Sequence, residues 1–274
     1  MLAFGAGDGG SNPPGTTYVN YLRKRPYETT PMCDFIYPEE HLNSFYQNVI
    51  KRRCFMDKDE YMRHAREEED WAPGWSAIDD CFEAVYSDQE PSHFGTIMTS
   101  RAIFGGDQYL DGYSIYRSDN GYLHIVTYGM SELYVDEDAF GGEFSKWGYE
   151  MTMKLSAETN EECMWALDML SNLARYTFTQ ERYFEPLQYI SGGGNAIRVD
   201  YDTKLTGLLV VEDTEIKSVD TVHGKLEFMQ LVGITQPELE ALIADRSLAK
   251  SLVEKMKVDN PLLVTDLERT HSYL

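Results

Sequence analysis

The chain has 274 residues, of which 42% are hydrophobic and 13% aromatic, so it can bury a sizeable core and is not a disordered protein. Its formal net charge is −22, and 19 of these charges belong to residues 71–274. A surface this acidic repels a phosphate backbone, which argues against direct nucleic-acid binding. Such a surface would attract a basic protein partner. The alternative is that the large net charge only keeps the protein soluble.

The cysteine content and the hydropathy pattern indicate the cellular compartment of the protein. Four cysteines are spread through the chain without a C-x-x-C pair, which is too sparse for a disulfide framework in a protein of this size. No apolar run approaches the roughly 20 residues of a membrane helix. The N-terminus lacks the basic start and the apolar stretch of a signal peptide. These features predict a cytoplasmic protein with no membrane partner.

The first 70 residues differ in composition from the rest. Residues 1–17 are dominated by Gly, Pro, Ser, Asn and Thr, which predicts a flexible tail. Residues 18–70 predict a helical extension, with helical spacing of apolar residues after Pro38 and a second helical run from Asp57. A Pro-Gly breaker pair then places the start of the main domain near Trp71.

After this boundary, the pattern predicts a short amphipathic helix followed by strands. The apolar face of the helix comprises Trp75, Ile78, Phe82, Val85 and Tyr86. Residues rich in β-branched and aromatic side chains predict strands at 94–103, 112–116, 123–128 and 147–155. Asn120 and Gly121 form the turn signal of a β-hairpin between the second and third of these strands.

Residues 161–178 predict the clearest helix of the chain, because apolar side chains recur on one face. That face comprises Met164, Leu167, Leu170, Leu173, Ala174 and Phe178. Strands are predicted at 205–211 and 226–232, followed by a helix that Thr235 caps. This irregular mixture predicts an α+β fold over residues 71–268, in which a mixed, largely antiparallel sheet packs with helices. Residues 269–274 are predicted to form a C-terminal tail.

The order of motifs from Pro73 onward resembles the Suppressor of Fused domain. The similarity is spread over nearly two hundred residues, and the chain resembles the single-domain bacterial type. The matching motifs include PGW at 73–75, LDG at 110–112, VTYGMSELY at 126–134, WGYEMT at 147–152, LARYTF at 173–178 and LVTDL at 263–267.

This resemblance implies protein binding rather than turnover. Animal members bind a short peptide of Gli-type transcription factors, and bacterial members are thought to act as immunity proteins against toxins. At two peptide-contacting positions of the animal proteins this chain has Tyr176 and Gln188. Gln188 stands in place of an acidic residue, so the carboxylate that pairs with a peptide His is absent. The alternative to a binding role for Tyr176 is that it is an ordinary aromatic residue of the core.

The glycine run that follows this segment is a further candidate. Gly192, Gly193 and Gly194 lack the Lys-Ser/Thr of a phosphate-binding loop, and the next residues have an extended rather than a helical pattern. We therefore predict a flexible loop that forms the rim of a binding groove.

No arrangement of residues predicts catalysis, a metal site or a cofactor. The six histidines show no metal-ligand spacing, and His124 on the hairpin is predicted to be a hydrogen-bonded structural residue. The G-x-G-x-x-G match at residues 5–10 lacks the strand and helix of a dinucleotide site. Acidic residues 136–138 are predicted to form a solvated loop.

Three hypotheses of different classes therefore remain. The first is a module that captures one protein partner, with neutralisation of a basic toxin as its most concrete form. The second is a regulatory scaffold that sequesters a transcription factor or signalling protein through a linear peptide. The third is an enzyme whose site is assembled from distant residues and is not visible in the sequence.

Overall fold

The computed structural model describes residues 56–87, 89–95 and 109–274. The helices are α1 (Lys58–Glu67), α2 (Pro73–Glu83), α3 (Met164–Gln180), α4 (Gln236–Ala244) and α5 (Leu248–Asp259), and a 3-10 helix (Asn160–Cys163) precedes α3. The strands are β1 (Ser92–Gly95), β2 (Gly112–Arg117), β3 (Leu123–Tyr128), β4 (Phe144–Leu155), β5 (Tyr189–Ser191), β6 (Leu205–Glu212), β7 (Val219–Thr221) and β8 (Gly224–Thr235). The predicted tail at 1–17, the helix after Pro38 and residues 96–103 of the first predicted strand lie outside the described residues.

The strands form one mixed sheet in the order β1-β2-β3-β4-β8-β6-β5, and β7 pairs with β8. Strands β4 and β8 run parallel, whereas the other paired strands are antiparallel. A parallel pair needs a long crossover connection, which here carries α3, β5, β6 and β7. The predicted α+β class with a largely antiparallel sheet is therefore confirmed.

Helices cover both faces of this sheet. The long helix α3 packs on one face, where Leu170 and Leu173 meet Met151 and Met229. The opposite face packs against α2 near β2, β3 and β7, and against α4 and α5 near β5, β6 and the end of β8. Strand side chains alternate between the two faces, which explains why odd-numbered residues of β4 join the α3 side.

Several boundaries predicted from the pattern agree with the structure. The hairpin between β2 and β3 turns at Asn120 and Gly121, and Gly121 has the positive φ of +80° that this turn favours. Asp57 caps α1 by accepting a hydrogen bond from the backbone N–H of Glu60 at 2.8 Å. Strands β5 and β7 and helix α5 were not predicted.

Two residues predicted on buried helix faces are exposed. Val85 is 40% exposed because α2 ends at Glu83, so that Val85 lies beyond the helical face. Met164 is 42% exposed because it is the first residue of α3 and lies at the end of the packed stripe.

Helix α1 is anchored on the domain by the buried Tyr61. The Tyr61 hydroxyl accepts a hydrogen bond from the Asp136 backbone N–H (2.7 Å) and lies 2.8 Å from His223 Nε2. The Tyr61 ring also contacts the rings of Trp71 and Phe140. Although α1 precedes the boundary predicted near Trp71, it packs on the rest of the fold.

Replacing Tyr61 with Phe should loosen α1, because the change removes a hydroxyl that is bonded to the Asp136 backbone N–H and to the buried His223. We expect a loss of about 1–3 kcal/mol in the stability of this helix. Hydrogen exchange of the α1 amides measures the loss directly.

Arg63→Ala is the matched control, because Arg63 lies on the exposed face of the same helix. Equal exchange rates in Tyr61→Phe and in the control would contradict the role of the hydroxyl.

The contact between Tyr61 and His223 should also depend on pH. Burial lowers the pKa of His223, so as the pH falls the His223 imidazole becomes protonated in the unfolded state before it does so in the folded state. The contribution of the contact is complete above about pH 6.5 and should fall as the pH drops below that value.

Candidate functional site

Strand β5 is the last strand at one edge of the described sheet, and some of its main-chain N–H and C=O groups point away from β6. The Val210 N–H donates to the Gln188 carbonyl (2.8 Å), and the Gly192 N–H donates to the Thr206 carbonyl (2.9 Å). Because main-chain groups alternate in direction along an antiparallel pair, those of Tyr189 and Ser191 point away from β6. In the described part of the chain, no strand pairs with this outer edge.

A tight turn leads into β5. The Gln188 N–H donates to the Glu185 carbonyl (3.2 Å), with Pro186 and Leu187 at the two central positions. Leu187 has φ +68°, and a turn with proline followed by a positive φ is a type II turn. Glycine suits the second central position, so leucine there costs about 1 kcal/mol in backbone strain. The Leu187 N–H donates to the Val210 carbonyl at 2.8 Å, which ties the turn to the register of the sheet.

Gln188 is held by Glu185 from the same turn. Gln188 Nε2 donates to the Glu185 carboxylate (3.0 Å), and the Glu185 N–H donates to Gln188 Oε1 (3.2 Å). The neutral amide at position 188 therefore has a carboxylate beside it, which restores a negative charge to this end of β5.

Tyr176 lies on the C-terminal part of α3 and is partly buried. Its ring stacks on that of Phe184, with centroids 6.3 Å apart and planes inclined by 22°. Burial raises the pKa of the Tyr176 hydroxyl. Phe184 immediately precedes the turn, so it links Tyr176 to the start of β5.

The glycine run forms a tight turn at the other end of β5. Gly192 has no room for a side chain, because a Cβ atom would lie 2.6 Å from the Asn195 carbonyl oxygen and 2.7 Å from that of Thr206. Gly193 and Gly194 are exposed, with φ values of +64° and +84°. The predicted site residues thus occupy the two ends of β5 and the helix behind its first turn.

Glu185 and Leu187 also belong to this site and were not predicted from the sequence. The detectable signal was proline at the first central position of a turn, followed by a residue other than glycine where a positive φ is required. Recognising β5 itself was harder, because three residues are too few to show strand periodicity.

A separate polar cluster lies inside the sheet, on the α2 side. His124 is fully buried, with Nδ1 2.8 Å from the Tyr86 hydroxyl and Nε2 2.9 Å from Asp213 Oδ2. Lys154 Nζ bridges Asp213 (3.1 Å) and Glu215 (2.9 Å). His124 is hydrogen-bonded as predicted, and it is fully rather than partly buried. Burial keeps His124, Lys154 and Asp213 out of reach of a substrate in solution.

A second buried carboxylate stabilises the segment after β3. Glu150 accepts hydrogen bonds from the Thr127 hydroxyl, from the hydroxyl and N–H of Ser131, and from the N–H groups of Gly129 and Met130, at 2.6–3.3 Å. Burial raises the pKa of Glu150, while these donors act in the opposite direction. Its role is thus to order the backbone, which explains why a carboxyl group lies in the core.

Metal-ligating side chains and membrane-spanning helices were also considered in the described residues. The described ranges contain no group of three or more His, Cys, Asp or Glu side chains placed to hold a metal ion. None of the helices in the described part of the chain has the length and apolar character that spanning a bilayer requires.

Comparison with known sequences identifies relatives of this chain. A family model described as Suppressor of fused protein matches residues 106–270. The Suppressor of fused homologs of Homo sapiens and Mus musculus are each 28% identical to the chain over 202 residues. The matched segment covers 68% of this chain and 41% of either relative, so the chain spans about two fifths of their length.

Solved structures share the fold of this chain. The crystal structure of a Sufu–Fu complex matches with a TM-score of 0.63 and 25% identity, covering 74% of this chain and 93% of that one. Drosophila Suppressor of Fused matches with a TM-score of 0.62 and 24% identity, covering 74% and 51%. A homolog from Neisseria gonorrhoeae FA 1090 shares the fold with a TM-score of 0.50 and 13% identity, covering 73% and 97%. Because the family model matches more than half of its residues, this chain belongs to the Suppressor of fused family.

Proposed function

We propose that this chain is a non-catalytic module that captures a protein partner by pairing an extended segment of that partner with the outer edge of β5. The observation that carries the proposal is the direction of the Tyr189 and Ser191 main-chain groups, which face away from β6. Pairing at a sheet edge provides affinity through main-chain hydrogen bonds, and adjacent side chains provide specificity.

The flanking residues supply the specificity in this proposal. Gln188 lies at the start of β5, and Tyr176 lies on α3 behind the turn that leads into this strand. Gly192, Gly193 and Gly194 form the turn at the end of β5 and bound the length of the paired segment. The relative in the Sufu–Fu complex is bound to a protein, which supports a protein rather than a small molecule as the partner.

The charge of the chain suggests which partner to expect. A net charge of −22 favours a basic protein, and Glu185 adds a carboxylate at the proposed edge. A basic toxin neutralised in the cytoplasm is the most concrete form of this function. A regulatory protein held through one linear segment is the alternative, and it differs in that an isolated peptide should compete for the site.

Replacing Ser191 with Pro tests the edge directly. Proline removes the N–H that points away from β6 and leaves the bonds of β5 to β6 in place, a change that edge strands tolerate. We expect the partner captured by the wild-type full-length chain from its own cells to bind the variant about tenfold more weakly or worse. Isothermal titration calorimetry with the purified partner gives the ratio.

Ser191→Ala is the matched control, because it keeps the N–H but shares the loss of the hydroxyl that accepts from the Gly193 N–H (3.1 Å). The control should bind the partner like the wild type. Undiminished binding by Ser191→Pro, with a melting temperature close to that of the control, would show that the partner engages another surface.

A further inference from the structure

Leu187 combines a strained backbone with an exposed apolar side chain. Its φ of +68° is one that side chains rarely adopt, and 42% of the residue is exposed. It belongs to none of the three hydrophobic clusters in the described part of the chain. A leucine here opposes the local backbone preference without contributing to the core.

The other non-glycine residues with positive φ have structural reasons. Leu263 is 1% exposed and fills the core beside α4 and α5. Lys146 donates from Nζ to the Gly129 carbonyl (2.9 Å). Glu181 follows the last residue of α3, a position where helices commonly end in this conformation. Of these four described residues, Leu187 is the only one with an exposed apolar side chain.

The position of Leu187 relates it to the edge of β5. It precedes Tyr189 by two residues, and a strand advances about 3.3 Å per residue. A segment that pairs with Tyr189 and continues by two residues therefore passes Leu187. Strain retained at an exposed residue beside a binding edge indicates a functional rather than a structural role.

We propose that Leu187 is a specificity-determining residue, which contacts an apolar side chain of an extended peptide segment paired with β5. This inference rests on the proposed function and adds one requirement to it. The captured segment must carry an apolar residue at the position that lies next to Leu187.

The test uses a phage-displayed library of linear 12-residue peptides, selected on the full-length chain and counter-selected on Ser191→Pro. The enriched peptides should share an apolar residue at one fixed position. Leu187→Gly should weaken their binding by about tenfold or more. Its melting temperature should stay the same or rise by about 2–4 °C, because glycine relieves the strain.

Two further variants separate the side chain from the backbone. Leu187→Ala keeps the strain and shortens the side chain, so it should bind as weakly as Leu187→Gly without gaining stability. Val258→Ala is the control for losing an exposed apolar residue, since Val258 is 79% exposed on α5. It should bind every selected peptide like the wild type.

The possible failures are distinguishable. Selected peptides that bind Leu187→Gly as tightly as the wild type would overturn this inference and leave the proposed function standing. A melting temperature lowered by more than about 4 °C in Leu187→Gly would show a structural role and would also overturn it. Failure to enrich any peptide on the wild type over Ser191→Pro would overturn the proposed edge pairing, and this inference with it.

Discussion

Replacing Asp213 with Asn should destabilise the fold by about 3–5 kcal/mol, which is the cost of leaving buried charges without their partner. The Asp213 carboxylate accepts from His124 and Thr152 at one oxygen (2.9 and 2.5 Å). Its other oxygen accepts from Lys154 (3.1 Å) and from two backbone N–H groups (2.8 and 3.0 Å). An asparagine NH₂ on either side would face donors, and Lys154 would keep only the partly exposed Glu215 as a counterion. Urea unfolding at pH 7 measures the loss.

The stability of the wild type should depend on pH in a way that reveals the contribution of Asp213. Burial would raise the pKa of Asp213, but the charges of His124 and Lys154 and the hydrogen bonds hold it well below the usual range. A depressed carboxyl pKa contributes stability that is present above about pH 4 and is lost as the pH falls below that. Asp213→Asn should lack this acid-dependent loss of stability.

Asp119→Asn on the exposed hairpin turn is the control, and its stability should stay within about 0.5 kcal/mol of that of the wild type. A loss below 1 kcal/mol in Asp213→Asn would contradict the assignment.

Replacing Arg269 with Ala should cost a similar amount, about 3–5 kcal/mol, because it leaves the buried Glu238 carboxylate without its cation. Two guanidinium nitrogens of Arg269 donate to the two oxygens of Glu238 (2.7 and 2.9 Å), and one also donates to the Gly233 carbonyl (2.9 Å). Glu238 additionally accepts from the Thr235 N–H (2.7 Å) at the start of α4 and from the Tyr273 N–H (2.9 Å). The pair therefore fixes residues 269–274, predicted from the sequence as a tail, to the body of the fold.

Arg269→Lys tests the geometry of this pair. Lysine keeps the charge but cannot donate to both carboxylate oxygens in the planar arrangement of a guanidinium group, so we expect an intermediate loss. Lys250→Ala, on the exposed side of α5, is the control for removing a positive charge. Thermal unfolding of the three variants should give the order Lys250→Ala, Arg269→Lys, Arg269→Ala from most to least stable. A stability of Arg269→Ala equal to that of the control would contradict the prediction.

Much of the fold could be predicted because local patterns carry it. The apolar stripe of α3, the cap at Asp57 and the turn at Gly121 each depend on residues within a few positions of one another. The strands of the β2–β3 hairpin were found for the same reason. Strands β5 and β7 were missed because three residues are too few for a period-2 pattern.

The candidate site could be predicted only in part. Tyr176, Gln188 and the glycines were named from a family resemblance, and nothing in their local pattern marks a binding edge. Leu187 was missed because its positive φ follows from the register of β5 on β6, which the sequence of the turn does not specify by itself.

By itself, the sequence determined the acidic character of the chain, the helices and strands with clear periodicity, and the resemblance that the family match confirms. Only the tertiary structure decided that β4 pairs in parallel with β8, that Asp213 meets Lys154 from 59 positions away, and that β5 ends the described sheet. The reason is physical: periodicity and turn chemistry act over a few residues, whereas strand order and buried ion pairs depend on how distant segments pack together.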